Sequence, residues 1–280
     1  MEDLHLLLKP TGAYLSEKTS SVMSYRPPCG LLSPYISTYW GSEGLTTELS
    51  RQEFEPSLII PDACVDIIFT IDHANGIVYS GFCGISDRPS YAWSIKNQPN
   101  MSRFAIQFYF WGAQYFISDS IEKSYDAYVN LEVCFSGWHG YFEKMLLNVV
   151  NLQERVKLTE QFLKEKLQQN HHNPYVMNAL SHILHARGAT SVKDTCDYTV
   201  ICQRQLERVF KEYLGMGIKK INNLVRYQNL WRDIAFDKIR TIQDTVDKYH
   251  YADQSHLLND FRKYHTMTPR EALNIAWRKI

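Results

Sequence analysis

The chain has 280 residues, 45% of them hydrophobic, with 30 Lys and Arg balanced by 30 Asp and Glu. This composition excludes a disordered chain and leaves room for two domains; with no run near the roughly 18 apolar residues of a membrane span, a soluble, cytoplasmic protein without a membrane partner is expected. The zero net charge hides a split: from His172 onward 17 Lys and Arg face 11 Asp and Glu, net +6, while Met1–His171 carries 13 against 19, net −6, which points to a polyanion as partner of the C-terminal part.

Residues 35–134 read as β-rich. "LSRQEFEPSLIIPDACVDIIFTID" and "SRFAIQFYFWG" are dense in β-branched and aromatic residues, with turn signals at Pro61-Asp62, Asn75-Gly76 and Pro99-Asn100. Short strands at this spacing suggest a barrel or a small sandwich. The aromatic run Phe104, Phe108, Phe110, Trp111, Tyr115 and Phe116 suits either the core of such a barrel or the lining of a ligand cavity, and no pocket residue is singled out. From Gly137 the apolar spacing becomes helical, predicting helices across about 138–168. Their stripe, Phe142 to Leu167, fits a dimer interface or packing within the chain equally well. The polar "QQNHHNP" that follows reads as a solvated linker.

Residues 174–280 are helical in pattern and contain a repeat. Asp194, Thr195 and Asp197 recur as Asp244, Thr245 and Asp247, at an offset of 50. After one inserted residue, Gln203, Leu206, Phe210 and Tyr213 recur as Gln254, Leu257, Phe261 and Tyr264. Each unit is a short helix, a turn and a longer amphipathic helix, which is helix-turn-helix twice. Leu206, Val209, Phe210 and Tyr213 form one inward stripe; Leu257, Leu258, Phe261 and Tyr264 form the other. The opposite faces carry Gln203, Arg204, Glu207 and Arg208 in the first unit, and Gln254, Ser255, His256 and Asn259 in the second. These side-chain types read base edges in a major groove, with arginine on guanine and amides on adenine. Lys211, Arg262 and Lys263 follow a turn later and suit backbone phosphates. Between the units, residues 218–237 predict a spacer helix of about 18 residues and about 27 Å, able to hold two recognition helices one DNA turn apart. Asp253 is placed to cap the second recognition helix, and Thr268-Pro269-Arg270-Glu271 is a capping box opening a last helix over roughly 270–277.

Six cysteines, at 29, 64, 83, 134, 196 and 202, include no CxxC and no closely spaced ligand pair. Reduced, mostly buried thiols are expected. His182-x-x-His185 has metal-like spacing with no third ligand, so no metal and no cofactor is expected.

The residues "QRQLERVFKEYLG", "LVRYQNL" and "YADQSHLLNDFRKYHTMTP" resemble the AraC/XylS family of bacterial transcription regulators. "YRPPCGLLSPYISTYW", "IIPDACVDIIFTID" and "RFAIQFYFWGAQYFI" are similar to a β-rich domain found ahead of the same module. The resemblance implies an α+β chain in three parts: a β-rich sensor or regulatory domain over 1–136, a helical connector and possible dimerisation element over 137–171, and a DNA-binding domain over 172–280. It also implies a sequence-specific regulator of double-stranded DNA and no catalytic residues; a small-molecule effector, a homodimer and RNA polymerase stand open as further partners. In that family a glycine usually occupies each inter-helix turn; here Val200 and His250 stand there, Thr195 and Thr245 replace apolar residues, and Cys202 replaces a serine cap. The rival reading, a cupin-like small-molecule-binding or metalloenzyme barrel with an accessory helical domain, needs clustered His and Glu ligands, yet 35–134 holds one histidine, His73. A protein-interaction adaptor is a third possibility, which would show no salt-sensitive duplex binding.

Overall fold

The computed structural model describes residues 3–15, 23–45, 56–92, 100–117, 120–168, 171–236 and 241–277. The predicted strand start over 49–55, Pro99 and the spacer's last predicted residue, Asp237, lie outside them.

Among the described residues the N-terminal part has eight strands: β1 (Ser24–Arg26), β2 (Ile36–Gly41), β3 (Ser57–Ile59), β4 (Cys64–Asp72), β5 (Ile77–Cys83), β6 (Ser90–Ala92), β7 (Met101–Tyr109) and β8 (Tyr128–Asn130). Six form an antiparallel sheet in the order β1-β2-β7-β4-β5-β8, and β3 pairs with β6 in a second ladder. Among the described residues the strands thus form two open sheets rather than a closed barrel. The centre is the long β4–β7 ladder, running in unbroken register from Cys64 opposite Tyr109 to Asp72 opposite Met101. The β4–β5 hairpin turns at the predicted Asn75-Gly76, where the Asp72 carboxylate accepts the Ala74 and Asn75 N–H groups and Gly76 takes φ 65°.

Period-2 alternation sends Val65, Ile67, Phe69 and Ile71 of β4 to one face, where none exceeds 1% exposure. That face is covered by α2 (Trp138–Asn148) and α3 (Leu152–Lys166). Phe142 stacks on Phe69 at 4.6 Å between ring centroids, and Leu146, Leu152, Val156 and Leu163 are buried beside it. The connector's apolar stripe therefore packs within its own chain. The six aromatics from Phe104 to Phe116 are likewise core, at 0–1% exposure. The Arg155 guanidinium, fully buried, donates to Val149 O (2.7 Å), Leu146 O (3.4 Å) and Ser102 Oγ (3.1 Å), satisfying carbonyls at the end of α2.

The remaining helices are α1 (Leu4–Leu7), α4 (Pro174–His185), α5 (Val192–Thr199), α6 (Gln203–Leu214), α7 (Ile218–Ala235), α8 (Ile242–Lys248), α9 (Gln254–His265) and α10 (Pro269–Ala276). Among the described residues no helix is long and apolar enough to cross a membrane. The two parts share one continuous core. Gln228 of α7, 1% exposed, accepts from Thr11 N (2.9 Å) and donates to Pro61 O (2.6 Å); the Trp231 indole donates to Gly12 O (2.9 Å). The histidines of the predicted solvated linker are exposed, and each also meets the N-terminal part: His171 Nδ1 lies 3.0 Å from Gln114 O, and His172 Nδ1 2.9 Å from the Tyr115 hydroxyl.

Candidate nucleic-acid interface

The repeat seen in the letters is a repeat of hydrogen bonds. In the first unit Ser191 and Asp194 cap α5 reciprocally, Asp194 N donating to Ser191 Oγ (3.0 Å) and Ser191 N to Asp194 Oδ2 (3.2 Å). Thr241 and Asp244 do the same for α8, at 3.0 and 3.1 Å. Thr195 and Thr245, standing at inward positions, donate their hydroxyls to Ser191 O and Thr241 O, each at 3.0 Å. Each satisfied hydroxyl can therefore be buried, at 0% and 3% exposure. Val200 and His250 both adopt the left-handed conformation, at φ 56° and 52°. The next residue of each turn then reaches back alike, Ile201 N to Cys196 O (3.2 Å) and Tyr251 N to Val246 O (3.0 Å). The turns form without glycine.

Each turn delivers a longer helix. Leu206, Phe210 and Leu214 seat α6, and Leu257, Phe261 and Tyr264 seat α9, all at no more than 1% exposure; Val209, Tyr213 and Leu258 are half-buried. Cys202 caps α6 without a side-chain bond, while Asp253 accepts the His256 N–H at 2.7 Å, as its position predicts. Opposite the buried stripes, Gln203, Arg204, Arg208 and Lys211 on α6 are exposed, as are Gln254, Ser255, His256, Asn259, Arg262 and Lys263 on α9. Arg208 pairs with Glu212 at 3.0 Å, an exposed i,i+4 contact of about 0.3–0.5 kcal/mol. Gln254 Nε2 donates to Gln243 of α8 at 3.3 Å, which steadies it at the start of the exposed face. The His256 ring meets Tyr251 edge-on at 5.3 Å.

Glu207, on α6, is half-buried. Its carboxylate accepts the Ile218 N–H at 3.2 Å and so caps the N-terminus of α7. Gly217 makes this possible, because a Cβ there would stand 2.1 Å from Glu207 Oε1. Lys211 approaches the same carboxylate at 3.8 Å.

The spacer helix α7 grips both units. Asn222 Nδ2 donates to Thr190 O (3.1 Å), just ahead of α5. For the second unit, Arg226 donates to Asp260 of α9 (3.1 Å), which also accepts from the Tyr251 hydroxyl (2.8 Å). Asp233, 1% exposed, accepts from Arg187 (2.8 Å), Lys248 (2.7 Å) and Tyr249 (2.7 Å) through one oxygen. Burial pushes the Asp233 carboxyl up, but Lys248, Tyr249 and Arg187 outweigh it and hold it below the usual carboxylate range. Under α9, Phe261 stacks on His265 at 4.9 Å, and burial pulls that histidine down to about 4, so it stays neutral beside the Tyr227 hydroxyl. These clamps were not foreseen in the sequence; Arg226, Asp233 and Asp260, charged letters within apolar helical stripes, were the available signal.

Elsewhere, His182 Nε2 lies 3.1 Å from Thr190 Oγ1, His185 Nδ1 lies 2.9 Å from Ser181 O, and His73 Nε2 lies 2.8 Å from Ser102 Oγ. Among the described residues no three His, Cys, Asp or Glu side chains converge as metal ligands.

Residues 195–275 match the family described as a helix-turn-helix domain, and residues 24–130 match a domain of unknown function (DUF6597). No curated protein matches the chain in sequence. Among solved structures, the chain is similar to ToxT from Vibrio cholerae O395, at 12% identity over 86% of this chain and 99% of that one, with a TM-score of 0.43. Another similar structure is unsaturated fatty acid bound wild-type ToxT from Vibrio cholerae strain SCE256, at 10% identity over 85% of this chain and 95% of that one, with a TM-score of 0.38. The duplicated helix-turn-helix units of the fold, from α5 to α9, thus coincide closely with the residues that match the helix-turn-helix domain family.

Proposed function

We propose that α6 and α9 enter consecutive major grooves of one operator, with Arg204, Arg208 and Gln203 reading the first and Gln254, Ser255, His256 and Asn259 reading the second. Lys211, Arg262 and Lys263 take the flanking phosphates, while Glu207 positions α7 against α6 and reads nothing. One observation carries this reading. Two exposed donor-bearing faces stand opposite two buried stripes, and both are anchored to the same 18-residue helix. A bidentate arginine or amide needs its helix held rigidly, and the Asp233 and Asp260 clamps supply that rigidity.

The strands and the two helices on them form the modulating part, acting on the C-terminal domain through an effector, a second copy or a partner protein, with RNA polymerase as the downstream target. No catalytic role enters this reading, and its place of action is the cytoplasm, where the operator is. The test starts with selecting bound duplexes from a random pool. Arg208→Ala then relaxes discrimination at one base pair by about 1–3 kcal/mol, while Lys211→Ala weakens all sequences alike and lowers the salt slope by about 0.9. A selection profile unchanged by Arg208→Ala would remove it as a reader.

A further inference from the structure

A single carboxylate of the N-terminal domain reaches two helices of the DNA-binding domain. Asp87 follows β5 on a loop that its neighbours fix in place. Gly84 N donates to Ala127 O (3.1 Å), Asp126 N to Ile85 O (2.9 Å), and Ser86 Oγ to Asp126 Oδ1 (2.6 Å). Gly84 is pressed so close that a Cβ there would stand 1.9 Å from Ser124 O. The side chain this loop presents is 4% exposed. Its Oδ1 accepts the Tyr125 hydroxyl at 2.7 Å; its Oδ2 faces Lys220 Nζ at 3.3 Å and Lys263 Nζ at 3.5 Å. Lys220 also donates to the Tyr125 hydroxyl and lies 4.6 Å from that ring's centroid.

Lys220 stands in the first turn of α7 and Lys263 on the outer side of α9, so the carboxylate spans spacer and recognition helix together. The two lysines are half exposed, at 46% and 47%. They can therefore exchange partners without unpacking the core. The carboxylate cannot follow them, because its loop is pinned and its surroundings exclude most water, so it favours the arrangement in which both cations stay.

We propose that Asp87 is an internal counter-ion that competes with DNA phosphate for Lys263 and Lys220, opposing engagement of the second unit until the contact opens. The proposal rests on reading α9 as a DNA-contacting helix. It gives the N-terminal domain a physical route to that helix: a displacement of residues 84–87 or 121–126 alters the charge that α9 presents.

The test uses the full chain and the selected duplex, with affinity followed by fluorescence anisotropy from low to moderate salt. Asp87→Asn keeps the acceptor for Tyr125 and removes the charge. It is expected to bind about threefold to tenfold more tightly at low salt, with a log–log salt slope steeper by about one to two, as each regained phosphate contact adds roughly 0.9. Adding Lys263→Gln should remove at least half of that gain. Tyr125→Phe, which weakens the same cluster from the other side, should shift affinity in the same direction by less, and it carries the test if Asp87→Asn fails to fold. An unchanged affinity and slope in Asp87→Asn, or a gain undiminished by Lys263→Gln, would overturn the counter-ion role. Absence of duplex binding by the unaltered chain would instead overturn the reading of α9 beneath it, and the counter-ion with it.

Discussion

Asp66 and Asp62 lie on the sheet face opposite α2 and α3, where the Trp40 indole donates to Asp66 Oδ1 (2.9 Å) and Gln107 Nε2 donates to Asp62 Oδ2 (3.0 Å). Burial and then the charge of Asp62 push the Asp66 carboxyl up, to about 7; burial pushes Asp62 up as well. A carboxyl raised in the folded state binds protons more tightly there than in the unfolded chain, so its contribution is full below the unfolded value near 4. It is lost as pH rises through the folded value. The chain should therefore be less stable at pH 8 than at pH 5 by on the order of 1–2 kcal/mol, and Asp66→Asn should remove most of that difference. Urea midpoints at the two pH values measure it, and an equal difference in both proteins would mean that Asp66 does not titrate in this window. Thiol chemistry offers no rival switch on this face: burial pushes Cys64 well above its ordinary value and Cys83 up to about 12.

At the scale of elements, the two turns are the informative ones. A β-branched residue in the left-handed region is strained by about 1–2 kcal/mol, and Val200 adopts it at 90% exposure with no packing in return. Val200→Gly should therefore raise stability by about 0.5–1 kcal/mol after the greater unfolded-state freedom of glycine is counted. The urea midpoint should rise accordingly, and a fall would show that the turn relies on the valine side chain. The helices themselves were legible in the sequence because their signals are local: a cap at Asp253 and a capping box at Thr268, stripes at i, i+3, i+4 and i+7, and a repeat of about 50 residues. Both inward stripes pack on the core as read, with Val209, Tyr213 and Leu258 half-buried at their margins. The contact of Glu207 was not legible, because its partner, the Ile218 N–H, stands beyond a turn that the helical pattern of α6 says nothing about. The open sheet order was illegible for a related reason. β4 pairs with β7 across the intervening β5 and β6, and alternation along one strand does not identify its neighbours.

For the whole molecule, the even net charge conceals an acidic part docked on a basic one, and the docking is specific. Gln228 ties α7 to residues 11 and 61, Tyr213 O accepts from Gln114, and Asp87 holds Lys220 and Lys263. None of these contacts could be read from spacing, since the partners are 99 to 217 residues apart. The DNA-binding units are consequently set by two things, the clamps on α7 and the face of the N-terminal domain. With an 18-residue helix of about 27 Å between them, α6 and α9 should tolerate one separation of half-sites only. Inserting five base pairs between the two selected half-sites turns the second groove to the far side of the duplex. Anisotropy titration of the full chain on the unaltered and lengthened duplexes should show a loss of about a hundredfold or more, down to the level of one unit with phosphate contacts. Equal affinity for both duplexes would contradict the account, since the two recognition helices would then not be reading from a shared rigid spacer.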